Sequence, residues 1–225
     1  MSLAPLCSAP LRIKVCGFTR AVDVRAAVDL GVDFFGFNLA RGPRRISVER
    51  AADLSRQLGL AAQAVALFVD ASPEQVLSDC AASGCTIAQL HGTESPEQVA
   101  WLARRLPVIK ALRVSRAEDL ASAQAFAQAG VSALLLDSAA PGLAGGSGLA
   151  WDYALASAWQ SPAPLLLAGG LNPQRVGPAL APPWPRLLGL DVASGVEEAP
   201  GRKCARAMAQ FVAAVRAARP QGAVP

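Results

Sequence analysis

One alternation constrains this chain more than any other feature. Short β-branched or leucine-rich runs are each followed by an alanine-rich stretch of helical period, and the pair recurs eight times. Strands are expected near 11–16, 33–37, 63–69, 86–90, 107–112, 131–136, 164–168 and 186–191. Helices are expected near 20–30, 47–58, 73–83, 95–105, 116–128, 150–158, 173–180 and 201–217. Ser72-Pro73 and Ser95-Pro96 read as N-cap and first helical residue, and Gly130 as the residue just past a helix. Units of roughly 25–30 residues predict an α/β fold, a single (β/α)8 TIM barrel. The rival is a doubly wound open sheet. It usually has fewer strands at this length and a glycine-rich first turn, whereas here the glycines cluster at 145–148, 169–170 and 195.

The barrel is expected to fill 11–217 as one catalytic domain, between flexible tails at 1–10 and 218–225. Of the 225 residues 52% are hydrophobic and 17% charged, which excludes a disordered chain. The net charge of +4 comes from 21 basic and 17 acidic residues, and the arginines are scattered, so no nucleic-acid partner is expected. No apolar run approaches the ~20 residues of a membrane span, and the first residues lack a secretory leader. Five irregularly spaced cysteines and a single histidine, His91, give no metal-site pattern. A cytoplasmic protein with free thiols, no metal and no membrane partner is the expectation, with a monomer as its simplest state.

In such a barrel, function sits where strands end. Those positions here are Cys16, Asn38 with Arg44 close behind, Asp70, Gln89 with His91, Arg113, Asp137, Gly169-Gly170 and Asp191. Counting by two from Cys16 puts Lys14 and Arg12 on its face, pointing inward, and Ile13 and Val15 on the other. A thiol there is either a small buried filler or a reactive group whose thiolate Lys14 and a helix N-terminus would favour. Asp137 follows four apolar residues and is costly there unless paired or used. Asp191 could pair with Lys14 or organise the loop behind it. His91 reads equally as a base or as a structural hydrogen-bonding group. The runs "LAGGLNPQRV" and "GLDVASGVE" place glycines after strands seven and eight, before expected helix N-termini, a pattern suited to phosphate. The long glycine-rich segment after Asp137 could act as a lid.

The ordered segments "KVCGFTR", "DFFGFNLARGPRRIS", "LFVDASPEQV", "QLHGTESPE", "LLLDS", "GGSGLAWDY", "LAGGLNPQRV" and "GLDVASGVEEAPGRK" together resemble the phosphoribosylanthranilate isomerase family of tryptophan biosynthesis, over residues 11–217. The resemblance implies an Amadori rearrangement of N-(5-phosphoribosyl)anthranilate to the open-chain aminoketose phosphate, with a small-molecule substrate and no cofactor. It implies Cys16 as general base, Asp137 as general acid and Arg44 on the anthranilate carboxylate, with neighbouring Arg45 the alternative for that clamp. His91 and Asp191 join the substrate site. The phosphate would lie on Gly170, Leu171, Ser194 and Gly195, with Gly146 nearby. This chain departs from the family pattern at Arg41-Gly42, at Leu149 in place of a lid lysine, and at Cys204 after Lys203. Related barrels fit less well: indole-glycerol-phosphate synthase should carry a Lys/Glu set, and the histidine-pathway isomerase an aspartate where Cys16 stands.

Overall fold

The computed structural model describes residues 10–138 and 159–218. The helix expected near 150–158, Gly146 with its glycine-rich segment, Cys7 and nearly all of both tails lie outside the described residues. Eight parallel strands close into a barrel in chain order. They are β1 (Arg12–Cys16), β2 (Phe34–Asn38), β3 (Gln63–Phe68), β4 (Ile87–Leu90), β5 (Val108–Val114), β6 (Ala133–Ser138), β7 (Leu165–Leu167) and β8 (Leu187–Val192). Closure comes from β8 pairing with β1, with Lys14 opposite Asp191.

The period-two pattern of each strand decides what faces where. Ile13 and Val15 of β1 are fully buried in the large cluster that also holds Val24, Ala27 and Phe211 of the surrounding helices. Lys14 and Cys16 point the other way, into the barrel. Phe34, Val65, Ile87, Ile109, Leu135 and Leu166 form a second, separate apolar cluster that fills the barrel interior. The barrel interior is thus filled with apolar side chains, and the cavity described below opens at the rim where the strands end.

Around the sheet lie α1 (Ala21–Asp29), α2 (Val48–Ser55), α3 (Pro73–Ser83), α4 (Pro96–Ala103), α5 (Ala123–Gln128), α6 (Val176–Leu180) and α7 (Ala205–Ala217). Their starts are locally encoded. The Ser72 hydroxyl accepts from the Gln75 N–H, and Ser95 forms a reciprocal capping box with Gln98. Each cap contributes about 1 kcal/mol. Gly84 ends α3 at φ 69°, a left-handed conformation that glycine adopts without cost.

Three expected helices differ from their ranges. The 116–128 stretch splits into a 3-10 turn at Ala117–Leu120 and α5, because Asp119 folds back to accept from the N–H groups of Ser115 and Arg116. The 173–180 stretch splits into a 3-10 turn at Pro173–Arg175 and α6, and Pro178 has no N–H to extend one continuous helix. The last helix starts at Ala205, not near Gly201. Ahead of it come a 3-10 turn at Ser194–Val196 and a small antiparallel hairpin, β9 (Glu197–Ala199) with β10 (Arg202–Lys203). The Pro200-Gly201 pair, with Gly201 at φ 79°, makes its turn.

Candidate active site

All the polar positions that end the strands line one cavity of about 810 Å³ at the C-terminal rim, among them Cys16, Arg44, His91, Arg113, Asp137 and Asp191. Gly170, Leu171 and Ser194 line it as well.

Cys16 ends β1, nearly buried. The chain turns away at once, with the N–H groups of Gly17 and Phe18 both donating to the Gly36 carbonyl. Gly36 sits beside Cys16 in register on β2. A Cβ at residue 36 would lie 2.7 Å from the Cys16 Sγ, so the neighbouring strand keeps a glycine-sized gap for the thiol. One layer deeper, fully buried Lys14 donates to Asp191 Oδ1 at 3.0 Å. Burial works against the Lys14 charge, but Asp191 and Cys16 outweigh it and hold its pKa above the ordinary lysine value. Burial also pushes the Cys16 thiol up; Lys14 and Lys203 oppose the shift without cancelling it. A lowered thiol was expected from Lys14 and a helix N-terminus. The helix begins only at Ala21, too far to act, and desolvation is the larger effect.

Asp137 lies across the barrel at the end of β6 and is also nearly buried. The His91 Nε2 stands 3.2 Å from Asp137 Oδ2, and Gln89 Nε2 stands 3.2 Å from His91 Nδ1. A Gln89 amide that donates to Nδ1 puts the imidazole proton on Nε2, facing the carboxylate. Arg113 is the in-register neighbour of Asp137 on β5. The β4 exit that carries His91 is braced from behind. Buried Lys110 donates to the Gly92 carbonyl and to Glu94 Oε2, both at 2.8 Å, and Glu94 accepts from the Asp70 and Gly92 N–H groups.

The two glycine-bearing loops meet. Gly169 and Gly170 have φ of 82° and 63°, and a Cβ on Gly195 would stand 1.8 Å from the Leu171 carbonyl oxygen. The backbones therefore touch directly. Leu171 and Ser194 line the cavity, and Gly195 packs against the Leu171 main chain beside it. Asn172 caps the 3-10 turn by accepting from the Arg175 N–H, and the Arg175 guanidinium ties back to the Gly170 carbonyl. Regular helix N-termini were expected after both loops. Single 3-10 turns stand there instead, so neither loop leads directly into a long helix with its dipole. Gly146 lies outside the described residues.

Arg44 and Arg45 both line the cavity. Arg45 is exposed, and Arg44 is held. The Arg44 Nε and Nη2 bond to Glu197 at 2.9 and 2.7 Å, and its chain lies against Gly17, where a Cβ would meet Cδ at 2.5 Å. Behind it, fully buried Lys203 donates to Glu197 Oε1 at 2.8 Å, to the Ala193 carbonyl and to the Cys16 carbonyl. Three acceptors meet its three protons. Sequence reading missed Glu197 and Lys203 as site residues. Their partners are up to 187 residues away, and only the Pro-Gly turn between them signals a local structure. Among the described residues no helix is long and apolar enough to cross a membrane, and no group of three His, Cys, Asp or Glu residues is placed to hold a metal ion.

Known proteins share this fold. The family model for N-(5'-phosphoribosyl)anthranilate isomerase matches residues 13–214. A relative of that name from Myxococcus xanthus is 42% identical over 92% of this chain and 96% of its own length. The phosphoribosyl anthranilate isomerase crystal structure from Thermotoga maritima superposes with a TM-score of 0.84 at 34% identity, over 91% of this chain and 98% of that one. An isomerase of the same name solved in complex with reduced 1-(o-carboxyphenylamino)-1-deoxyribulose 5-phosphate superposes with a TM-score of 0.81 at 31% identity, over the same shares. With the family model matched over residues 13–214 and a relative 42% identical over 92% of its length, this chain belongs to the N-(5'-phosphoribosyl)anthranilate isomerase family.

Proposed function

We propose that the chain converts N-(5-phosphoribosyl)anthranilate to 1-(2-carboxyphenylamino)-1-deoxyribulose 5-phosphate by general acid–base catalysis. The observation that carries this reading is the convergence of Cys16 and Asp137, from β1 and β6, on one cavity flanked by the two touching glycine loops. Asp137, as general acid, delivers a proton to the furanose ring oxygen as the C1–O bond breaks, leaving a protonated Schiff base at C1. That cation acidifies the C2 proton, which the Cys16 thiolate removes. The resulting enolamine tautomerises to the aminoketose. An acid and a base on opposite sides of one sugar are sufficient for this sequence, and each is typically worth 10²–10⁴-fold in rate.

Supporting groups fit the same picture. Lys14 places a cation one layer below the thiol and favours the thiolate against burial. His91 orients Asp137 from the end of β4, two strands away. The phosphate lies against the backbone of Gly170, Leu171 and Ser194, with Gly195 allowing that backbone to approach, and Arg44 binds the anthranilate carboxylate. The test is direct: purified protein is mixed with phosphoribosylanthranilate and loss of the anthranilate-ring fluorescence is followed. Turnover that depends on both Cys16 and Asp137 supports the proposal, and no turnover by folded wild-type protein refutes it.

A further inference from the structure

The hairpin β9–β10 is not among the elements the alternation predicts, yet it sets two buried ions, Glu197 and Lys203, behind the cavity wall, with Glu197 paired to Arg44 of the lining. Glu197 is almost fully covered, and its carboxylate is saturated by Arg44 Nε and Nη2, Lys203 Nζ and the Gly201 N–H. Two buried charges placed only for stability are a poor investment, because removal from water offsets most of their attraction. The geometry suggests another use. A guanidinium has a side edge, Nε with Nη2, and an end edge, Nη1 with the outer proton of Nη2. Glu197 occupies the side edge. The end edge remains, a planar two-donor fork of the shape a carboxylate accepts, and Nη1 has no protein partner among the described residues. Gly17 leaves the groove in which the Arg44 chain lies, so the arginine is fixed along its length as well as at its head. Lys203 ties the same carboxylate to the Cys16 carbonyl and to Ala193, the residue before Ser194.

We propose that Glu197 is a positioning residue for substrate selection: it pins the side edge of Arg44 so that the end edge meets the aryl carboxylate of the substrate, in a frame that Lys203 shares with Cys16 and the loop after β8. This rests on the reading of Arg44 given above. Pre-organisation of this kind acts by lowering the ordering cost of binding, so its loss should fall on the carboxylated substrate above all.

The experiment measures kcat and KM for phosphoribosylanthranilate and for N-(5-phosphoribosyl)aniline, the same aminoaldose without the carboxylate, in wild type, Arg44→Ala, Glu197→Gln and the double variant. Glu197→Gln is expected to raise the ratio of the two KM values, carboxylated over uncarboxylated, at least tenfold. The double variant should show no larger ratio than Arg44→Ala alone. Glu197→Asp keeps the charge against Lys203 but is one carbon shorter; it should shift the ratio in the same direction, and it covers the case in which the Gln variant does not fold. If Arg44→Ala raises the ratio and both folded Glu197 variants leave it at the wild-type value, or depress both substrates equally, the positioning role is overturned while the Arg44 reading stands. If Arg44→Ala itself leaves the ratio unchanged, the reading of Arg44 fails and the inference fails with it.

Discussion

Gly36→Ala is the smallest change that should disable this site, because it adds one methyl beside the Cys16 thiol and replaces no proposed reacting group. The added Cβ would lie 2.7 Å from Cys16 Sγ, 2.9 Å from its Cα and 3.1 Å from its Cβ. Ordinary contacts of this kind are about 3.5–4.0 Å, so the thiol or its strand must move by roughly an ångström. Overpacking of this size costs about 1–3 kcal/mol of stability. In a chain of this length that corresponds to a fall in Tm of several degrees, at roughly 2–4 °C per kcal/mol. A displacement of ~1 Å at a reacting group costs on the order of 10²-fold in rate. The assay is kcat from the fluorescence decay, alongside thermal unfolding of the same preparation. Gly36→Ala with Cys16→Ala should recover only part of the lost stability, since the 2.9 and 3.1 Å contacts survive without the sulfur. Activity within threefold of wild type in a folded Gly36→Ala protein would refute the idea that this gap positions the thiol.

Gly195→Ala puts a Cβ into the Leu171 carbonyl, forces the two loops apart and should raise KM more than it lowers kcat, with an inorganic-phosphate inhibition constant rising in parallel. The Cys16 thiol should titrate above the ordinary value of about 8.5, read as the 240 nm difference between wild type and Cys16→Ser. Cys80, pushed up to about 12, and Cys85, to about 11, are well removed from the neutral range. A thiol whose pKa is raised on folding contributes stability that is complete below its unfolded pKa and is lost as pH rises through the folded one. The Cys16 contribution should therefore fade above about pH 8.5, and Cys16→Ser should flatten that decline in a pH series of urea unfolding curves.

The barrel was legible in the sequence because its information is local. Strand alternation, Ser-Pro starts and Gly stops each act within a few residues, and every strand forms close to its expected range. The rim was legible for a related reason: once a strand's inward face is known, the last residue on that face must reach the cavity, and Cys16, Asp137 and Asp191 all do. What could not be read depends on distance or on competition between effects. Glu197 and Lys203 acquire meaning only through Arg44, Cys16 and Ala193, brought near by closure of the barrel. The direction of the Cys16 shift was misjudged because nearby cations are visible in sequence, whereas the extent of desolvation is not. The late helices were misjudged in their starts because Pro178 and the Pro200-Gly201 turn interrupt otherwise helical patterns.

The most direct test of the central claim is turnover of purified, folded Asp137→Asn and Cys16→Ser. The first keeps the size of the acid and removes its proton; the second keeps the size of the base and leaves an alcohol that ionises far less readily near neutral pH. Each is predicted to lose 10²–10⁴-fold in kcat, the usual worth of a general acid or base, while far-UV circular dichroism remains that of the wild type. Near wild-type kcat in either folded variant would contradict the role assigned to that residue.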